Sequence, residues 1–192
     1  MRELKEAILR EGKGIGSHIV KVDMFLNHRL DTKLMFDMGR ALADHFRSEK
    51  PDVVLTVEAS GIAIALATAH QLGDIPVVFA KKSAASNQSA DMLTAVAHSF
   101  THGNDNCLRV DRHYLPEGSR VLIVDDFLAN GQASEALISI AQQAQCEVVG
   151  VGIAVEKGFQ EGGRSLRERG YNLKSLAIIT AIEDGKIMME ED

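Results

Sequence analysis

Two adjacent carboxylates and a glycine-bearing turn stand in the segment Val-Leu-Ile-Val-Asp-Asp-Phe-Leu-Ala-Asn-Gly-Gln-Ala, residues 121–133. The apolar residues 121–124 predict a buried strand, and Asp125 and Asp126 stand at its end. The small residues that follow open a predicted helix. A helix N-terminus presents unpaired backbone N–H groups and the positive end of the helix dipole, so it binds phosphate well. Gly131 allows the backbone to approach such an anion closely.

The two carboxylates suit a different part of the same ligand. They repel a phosphate, but they accept hydrogen bonds from sugar hydroxyls or face a metal. Phosphate at one end of the loop and vicinal hydroxyls at the other indicate a phosphorylated ribose. Two other interpretations stay open on these residues alone. One is an ordinary strand–turn–helix with surface acids. The other is a metal-binding acidic pair of the flavodoxin-like receiver type, which is disfavoured because such a pair lies near the start of its domain.

The elements that must position these residues alternate between short apolar runs and amphipathic helices. Strands are predicted at 53–57, 75–80, 121–124, 147–155 and 176–181, with an extended segment at 18–26 and a hairpin of 92–100 with 107–111. Helices are predicted at 3–11, 61–72, 132–145, 164–169 and from a cap at Asp31 to about Ser48. This order predicts an α/β fold with a mainly parallel sheet flanked by helices on both faces. Ligands of such sheets bind at the carboxyl ends of the strands, here the loops 58–61, 81–82, 125–133 and 156–160.

Composition narrows the function further. The 192 residues are 45% hydrophobic and carry a net charge of −6, which predicts one globular domain, 1–192. The acidic balance and the absence of Trp predict no nucleic-acid partner. The sequence contains no long apolar run, so it predicts neither a membrane partner nor a signal peptide. The two cysteines, Cys107 and Cys146, are typical of a reducing cytoplasm.

The segment 121–133 resembles the signature with which type I phosphoribosyltransferases bind phosphoribosyl pyrophosphate (PRPP). Further segments resemble one branch of that family, the bacterial xanthine phosphoribosyltransferases. They are Lys21–His28, Glu58–Ala63, Pro76–Lys82, Leu93–His98 and Val155–Phe159. The resemblance implies the type I phosphoribosyltransferase fold, with a small hood from the N-terminal segment, about 1–30, and a mobile loop at about 83–105. It also implies a homodimer.

The resemblance implies roles for individual residues. The 5-phosphate is expected on Ala129, Asn130, Gly131, Gln132 and Ala133. The pyrophosphate is expected on Glu58, Ala59, Ser60, Gly61, Lys81 and Lys82. The purine is expected on Val20, Asn27 and Lys157, with Phe127 or Phe159 against its ring. Catalysis is expected from Asp125, Asp126 and Lys82, with Mg²⁺ carried by PRPP and no metal site formed by the protein.

The chemistry of these residues favours a 6-oxopurine. Lys157 is a donor only, so it pairs with a 6-oxo group and disfavours a 6-amino group. The Asn27 amide both donates and accepts, which suits the 2-position of xanthine. Ala129 stands where hypoxanthine–guanine enzymes carry an Asp proposed to assist proton transfer. Either another group or water takes that proton, or no acceptor is needed because xanthine is the more acidic base.

The resemblance therefore implies a purine salvage enzyme that converts xanthine and PRPP to xanthosine 5′-monophosphate and pyrophosphate. Two alternatives remain: a PRPP-binding purine regulator on the same fold, and an enzyme that prefers guanine or hypoxanthine. A zinc site from His98, His102, Cys107 and His113 is disfavoured, because the segment is predicted as strand and loop and does not put the four on one helical face.

Overall fold

The computed structural model describes residues 1–82, 91–98 and 105–190. Most of the loop predicted to be mobile, and His102 of the disfavoured zinc group, lie outside the described residues. The helices are α1 (Arg2–Glu11), α2 (Thr32–Phe46), α3 (Gly61–Gln71), α4 (Gln132–Gln143) and α5 (Glu161–Glu168). The strands are β1 (Lys13–Ile15), β2 (Ile19–Lys21), β3 (Val53–Val57), β4 (Val77–Ala80), β5 (Met92–His98), β6 (Asp105–Asp111), β7 (Arg120–Leu128), β8 (Glu147–Lys157), β9 (Leu173–Glu183) and β10 (Lys186–Met189).

Six strands form the central sheet in the order β10-β9-β8-β7-β3-β4. Every neighbouring pair is parallel except β10 with β9. Helices cover both faces, and two clusters of buried apolar side chains fill the space between helices and sheet. The prediction of an α/β fold with a mainly parallel sheet is confirmed. Within the described ranges, no helix has the length and apolar character that crossing a bilayer requires.

The strands beneath the site are longer than their apolar runs. β7 continues through Asp125 and Asp126 to Leu128, so the prediction that the two acids follow the strand is wrong. Backbone pairing with β8 continues at Asp125↔Ile153 and beyond, because the ladder uses main-chain groups and not side chains. The two acids are therefore fixed on a sheet strand, which holds them more rigidly than a loop would.

Two other elements differ from the sequence prediction. The extended segment ends at Lys21 and a π-helical turn, Asp23–Asn27, follows. Its neighbouring residues Phe25 and Leu26 are both buried, and the turn packs them into one of the two apolar clusters. α5 begins at Glu161 and not at 164, because Gly162 and Gly163 serve close packing instead of ending the helix.

Two small antiparallel sheets flank the central one. β1 pairs with β2 near the N-terminus, and β5 pairs with β6 as the predicted hairpin. The second hairpin joins the central sheet through Lys81 and Arg109, whose backbone groups exchange two hydrogen bonds of 2.9 Å. Each small sheet contributes residues to one side of the cleft described below.

Candidate active site

A cleft of about 650 Å³ opens at the carboxyl ends of β3, β7 and β8. Its wall includes predicted site residues from all three ends: Glu58, Ser60, Lys82, Asp125, Asp126, Ala129, Asn130, Gly131, Gln132, Ala133 and Lys157. Parallel strands place their carboxyl ends at one edge of a sheet, which is why segments far apart in sequence meet here.

The loop 129–133 forms a continuous part of the cleft wall. Gly131 is the N-cap of α4 and has φ 84°, a left-handed conformation that favours glycine. A glycine cap has no side chain to bond the first-turn N–H groups, so these groups and the helix dipole remain available to an anion. The loop therefore has the geometry of a phosphate site.

Asp125 and Asp126 line the cleft beside this loop. Their exposed fractions are 4% and 8%, and Asp125 Oδ1 accepts a hydrogen bond of 2.9 Å from the Asp126 backbone N–H. Burial, followed by the charge of Asp126, raises the pKa of Asp125 well above its ordinary value, and the Lys82 ammonium only partly offsets this. Asp125 therefore takes up a proton more readily than a free carboxyl does.

The turn 58–61 lies between β3 and α3, and its Glu58–Ala59 peptide is cis. Glu58 Oε1 accepts a hydrogen bond of 2.6 Å from the Lys82 backbone N–H, which ties this turn to the residues after β4. A Cβ on Gly61 would lie 2.3 Å from Thr56 Oγ1 and 2.7 Å from Asp125 Oδ1, so the start of α3 can approach the acids only as glycine. Thr56 Oγ1 is buried with no hydrogen-bond partner among the described residues.

Lys157 lines the same cleft and occupies the last position of β8. Its Nζ donates a hydrogen bond of 2.8 Å to the His18 carbonyl and lies 5.8 Å from the centre of the Phe127 ring. Burial lowers the pKa of Lys157 below its ordinary value. The ammonium and the aromatic ring together suit a flat ligand that carries acceptor oxygens.

The remaining predicted residues lie outside the cleft wall. Val20 is 8% exposed and packs in the core, whereas Asn27 is exposed at the end of the π-helical turn. Ala59 and Gly61 belong to the turn behind Ser60, and Lys81 is exposed beside β6. Purine contacts by Val20 and Asn27 stay a prediction.

Several wall residues were not predicted from the sequence. They are His18, Ile19, Val57, Ala97, Asn106, Leu108, Leu128, Ser134 and Gln160. Gln160 is distinctive, because its Oε1 is buried and no described residue donates to it. Gln160 lies in the loop 156–160, which the sequence analysis placed at the ligand edge of the sheet without giving this residue a role.

The arrangement of acids bears on how a metal would bind. Among residues 1–82, 91–98 and 105–190, no group of three or more His, Cys, Asp and Glu is placed to hold a metal ion. Asp125 and Asp126 supply carboxylate oxygens, but Mg²⁺ demands an octahedral set of six oxygens. The pair therefore fits a metal that arrives with most of its ligands from phosphate and water.

Residues 28–177 match the phosphoribosyl transferase domain family. The chain is 49% identical to the xanthine phosphoribosyltransferase of Heliobacterium modesticaldum, over 98% of this chain and 99% of that protein. It is 45% identical to that of Ruminiclostridium cellulolyticum, over 100% of both. The adenine phosphoribosyltransferase structure from Rhodothermus marinus shares the fold, with a TM-score of 0.74 at 20% identity over 93% of this chain and 100% of that chain. The chain therefore belongs to the phosphoribosyltransferase family, within the group of bacterial xanthine phosphoribosyltransferases.

Proposed function

We propose that this chain transfers the 5-phosphoribosyl group of PRPP to xanthine and releases pyrophosphate, giving xanthosine 5′-monophosphate. One observation carries the proposal: a single cleft is lined both by the glycine-capped start of α4 and by a half-buried lysine beside an aromatic ring. The acid pair stands in the same wall. These three features match, in order, the phosphate, the base and the sugar of the product.

At the base end, Lys157 distinguishes purines by their 6-substituent. Its ammonium donates to the 6-oxo group, and a 6-amino group would meet it with a donor of its own. Lys157 keeps its bond to His18 at the same time, since an ammonium has three donors. Phe127 supports one face of the ring. Asn27 is proposed to hydrogen-bond the 2-position, which requires its exposed side chain at the end of the turn 23–27 to reach the cleft.

At the sugar end, the loop 129–133 holds the 5-phosphate through backbone N–H groups and the dipole of α4. Asp125 and Asp126 accept hydrogen bonds from the ribose hydroxyls. Ser60 and the turn around it receive the pyrophosphate, and the Lys82 ammonium opposes the charge that builds on the departing oxygen.

The reaction breaks the bond between ribose C1 and the pyrophosphate oxygen and forms a bond from C1 to a purine nitrogen. Positive charge develops on C1 and the ring oxygen between these events, as in glycoside cleavage. The electron pair of the broken bond leaves with pyrophosphate, and the proton of the purine nitrogen passes to solvent, because Ala129 cannot accept it. Most of the rate enhancement then comes from positioning and from stabilising the leaving group.

In this proposal Mg²⁺ would bind together with PRPP. When bound to PRPP, Mg²⁺ neutralises phosphate charge and so lowers the barrier to departure of pyrophosphate. Asp125 and Asp126 are the residues that would contact it, alongside the sugar hydroxyls and water.

The direct test is turnover. Purified protein is incubated with PRPP, Mg²⁺ and xanthine, guanine, hypoxanthine or adenine, and released pyrophosphate is measured. We expect the highest kcat/KM with xanthine and no rate above background with adenine. Release with none of the four bases, together with tight PRPP binding, would identify a PRPP-binding regulator instead. A higher kcat/KM with guanine or hypoxanthine than with xanthine would change the assigned base but not the assigned reaction.

We further propose that the protein acts as a homodimer in the cytosol. Phe36 and Leu66 are 50% and 63% exposed. Phe36 contacts the His70 ring, and His70 lies one turn after Leu66, so the two apolar side chains share one surface of α2 and α3. Sedimentation of the wild type against Leu66→Glu tests this: we expect a dimer that the glutamate weakens, and a wild-type monomer would contradict it.

The cytosolic location in this proposal is supported by the free thiols of Cys107 and Cys146, which agree with a reducing compartment.

A further inference from the structure

A buried ion pair lies directly behind the base-binding lysine and faces away from the cleft. Glu156, the residue before Lys157 on β8, is 3% exposed. Arg167 of α5 donates to both of its carboxylate oxygens, Nη1 to Oε1 and Nη2 to Oε2, each at 2.7 Å. The Ser175 hydroxyl of β9 donates to Oε2 as well. One carboxylate therefore joins three neighbouring elements.

This pair fixes the position of α5 on the sheet. A Cβ on Gly163 would lie 1.9 Å from Glu156 Oε1, so α5 reaches this depth only because residue 163 is glycine. Burial alone would raise the pKa of Glu156, but the hydrogen bonds from Arg167 and Ser175 outweigh it and leave the pKa below its ordinary value. An ionised, two-point contact sets the orientation of α5 as well as its distance from β8.

The N-terminus of α5 in turn packs on the loop 129–133. The Gly162 backbone N–H donates to the Ala129 carbonyl at 3.0 Å. A Cβ on Gly162 would lie 2.4 Å from that carbonyl oxygen and 2.6 Å from the Gly131 nitrogen. The loop backbone thus rests against the backbone of α5, with no side chain between them.

We infer that Glu156, Arg167 and Gly162 are positioning residues for the 5-phosphate. The inference rests on the proposed function, in which the loop 129–133 binds that phosphate. None of the three touches the phosphate. They act through Ala129 and Gly131, whose backbone must hold its N–H groups in place, since the loop has no Ser or Thr hydroxyl at residues 129–133 to assist. A displaced loop loses backbone contacts to the phosphate, and only the amides of Asn130 and Gln132 remain as side-chain donors within it.

Two substitutions in the full-length protein break this chain of contacts at different links. Arg167→Met removes the ion pair and keeps much of the side-chain length. Gly162→Ala leaves the ion pair intact and pushes directly on the loop. Arg164→Met is the matched control, because Arg164 lies on the same helix and, among the described residues, forms its ion pairs with Glu161 and Glu168 at the surface. Arg167→Lys restores the charge without the two-point geometry.

The measurements are the Kd of ribose 5-phosphate by calorimetry, KM for PRPP, KM for xanthine and the midpoint of urea unfolding. We expect Arg167→Met and Gly162→Ala each to weaken ribose 5-phosphate and raise KM for PRPP on the order of 10- to 100-fold. KM for xanthine changes less, Arg167→Lys falls between, and Arg164→Met matches the wild type.

A stabilising role alone predicts a different pattern. If Arg167→Met lowers the unfolding midpoint while both variants keep wild-type affinity for ribose 5-phosphate, the inference is overturned. That result leaves the proposed function intact, because wild-type turnover of xanthine is measured separately. Conversely, if the wild type releases no pyrophosphate with any base, the proposed function fails while ribose 5-phosphate still reports on the loop. If the wild type turns over xanthine but does not bind ribose 5-phosphate, the inference fails and the proposed function stands.

Discussion

Replacing Lys157 by methionine tests the base-binding end of the cleft. Methionine keeps a long unbranched side chain and removes the ammonium, so the cleft stays filled while its donor disappears. A hydrogen bond to a charged group contributes about 1.5–3 kcal/mol, and each 1.36 kcal/mol is tenfold in rate. We therefore expect kcat/KM for xanthine to fall about 10- to 150-fold. Burial of Lys157 favours the upper part of this range, because water competes less for its donors.

The assay is steady-state release of pyrophosphate with xanthine varied at saturating PRPP, then with PRPP varied at saturating xanthine. KM for PRPP is expected to stay within about twofold of the wild type, since the proposal places Lys157 on the base and not on PRPP. Lys174→Met is the matched control. It removes a lysine from the amino end of β9, the opposite edge of the sheet from the cleft, and we expect no effect on either substrate.

The hydrogen bond from Lys157 to the His18 carbonyl offers a second explanation for a loss of activity, and a comparison with adenine tests it. If the lysine acts only by tethering the N-terminal segment, the variant loses affinity for every purine equally. If it pairs with a 6-oxo group, affinity for xanthine falls and inhibition by adenine stays equal or becomes stronger. Equal loss for xanthine and adenine would refute the assignment of Lys157 to the 6-position.

Three further substitutions probe the rest of the site. Gly61→Ala places a Cβ 2.7 Å from Asp125 Oδ1, so we expect KM for PRPP to rise on the order of tenfold; an unchanged KM would contradict the close packing. Glu156→Gln is expected to lower the free energy of unfolding by about 2 kcal/mol at neutral pH. Because the pKa of Glu156 is lowered in the folded state, the difference in unfolding free energy between wild type and variant persists above the ordinary value of 4.5 and shrinks as pH falls below it. Urea titrations in which this difference does not depend on pH would count against the ion pair of Glu156 with Arg167. Gln160→Leu removes a buried oxygen that has no partner among the described residues, so we expect no loss of thermal stability. We expect the KM of one of the two substrates, xanthine or PRPP, to rise about fivefold. A lower melting temperature with both KM values unchanged would give Gln160 a structural role.

The features that the sequence predicts well are those that local pattern determines. The apolar run 53–57 is a fully buried strand, as its composition indicates. Asp31 caps α2, with its carboxylate accepting from the Leu34 N–H at 3.0 Å. Gly131 takes the positive φ that its place before a helix suggests. Each of these depends on a few neighbouring residues, so one sequence is enough to find it.

The features that it predicts poorly depend on distant residues. Asp125 and Asp126 end the apolar pattern, yet β7 continues because its neighbour β8 supplies backbone partners. Lys157 meets the His18 carbonyl across 139 positions of chain, and no local pattern indicates that contact. The start of α5 was missed because Gly162 and Gly163 are typical of helix ends, and here they are required by what packs against them.

The burial of the acid pair explains how carboxylates and a polyphosphate can share one cleft. Two ionised aspartates beside the loop 129–133 would repel PRPP, and inside a low-dielectric wall that repulsion is strong. Burial and the neighbouring Asp126 raise the pKa of Asp125, which favours its protonated form more than in a free carboxyl. The Lys82 ammonium acts in the opposite direction, and a Mg²⁺ that arrives with the substrate would do the same. Cations that approach Asp125 therefore favour its ionised form. Both acids lie within β7, where pairing with β8 fixes their backbone, so this response to cations does not require the chain to move.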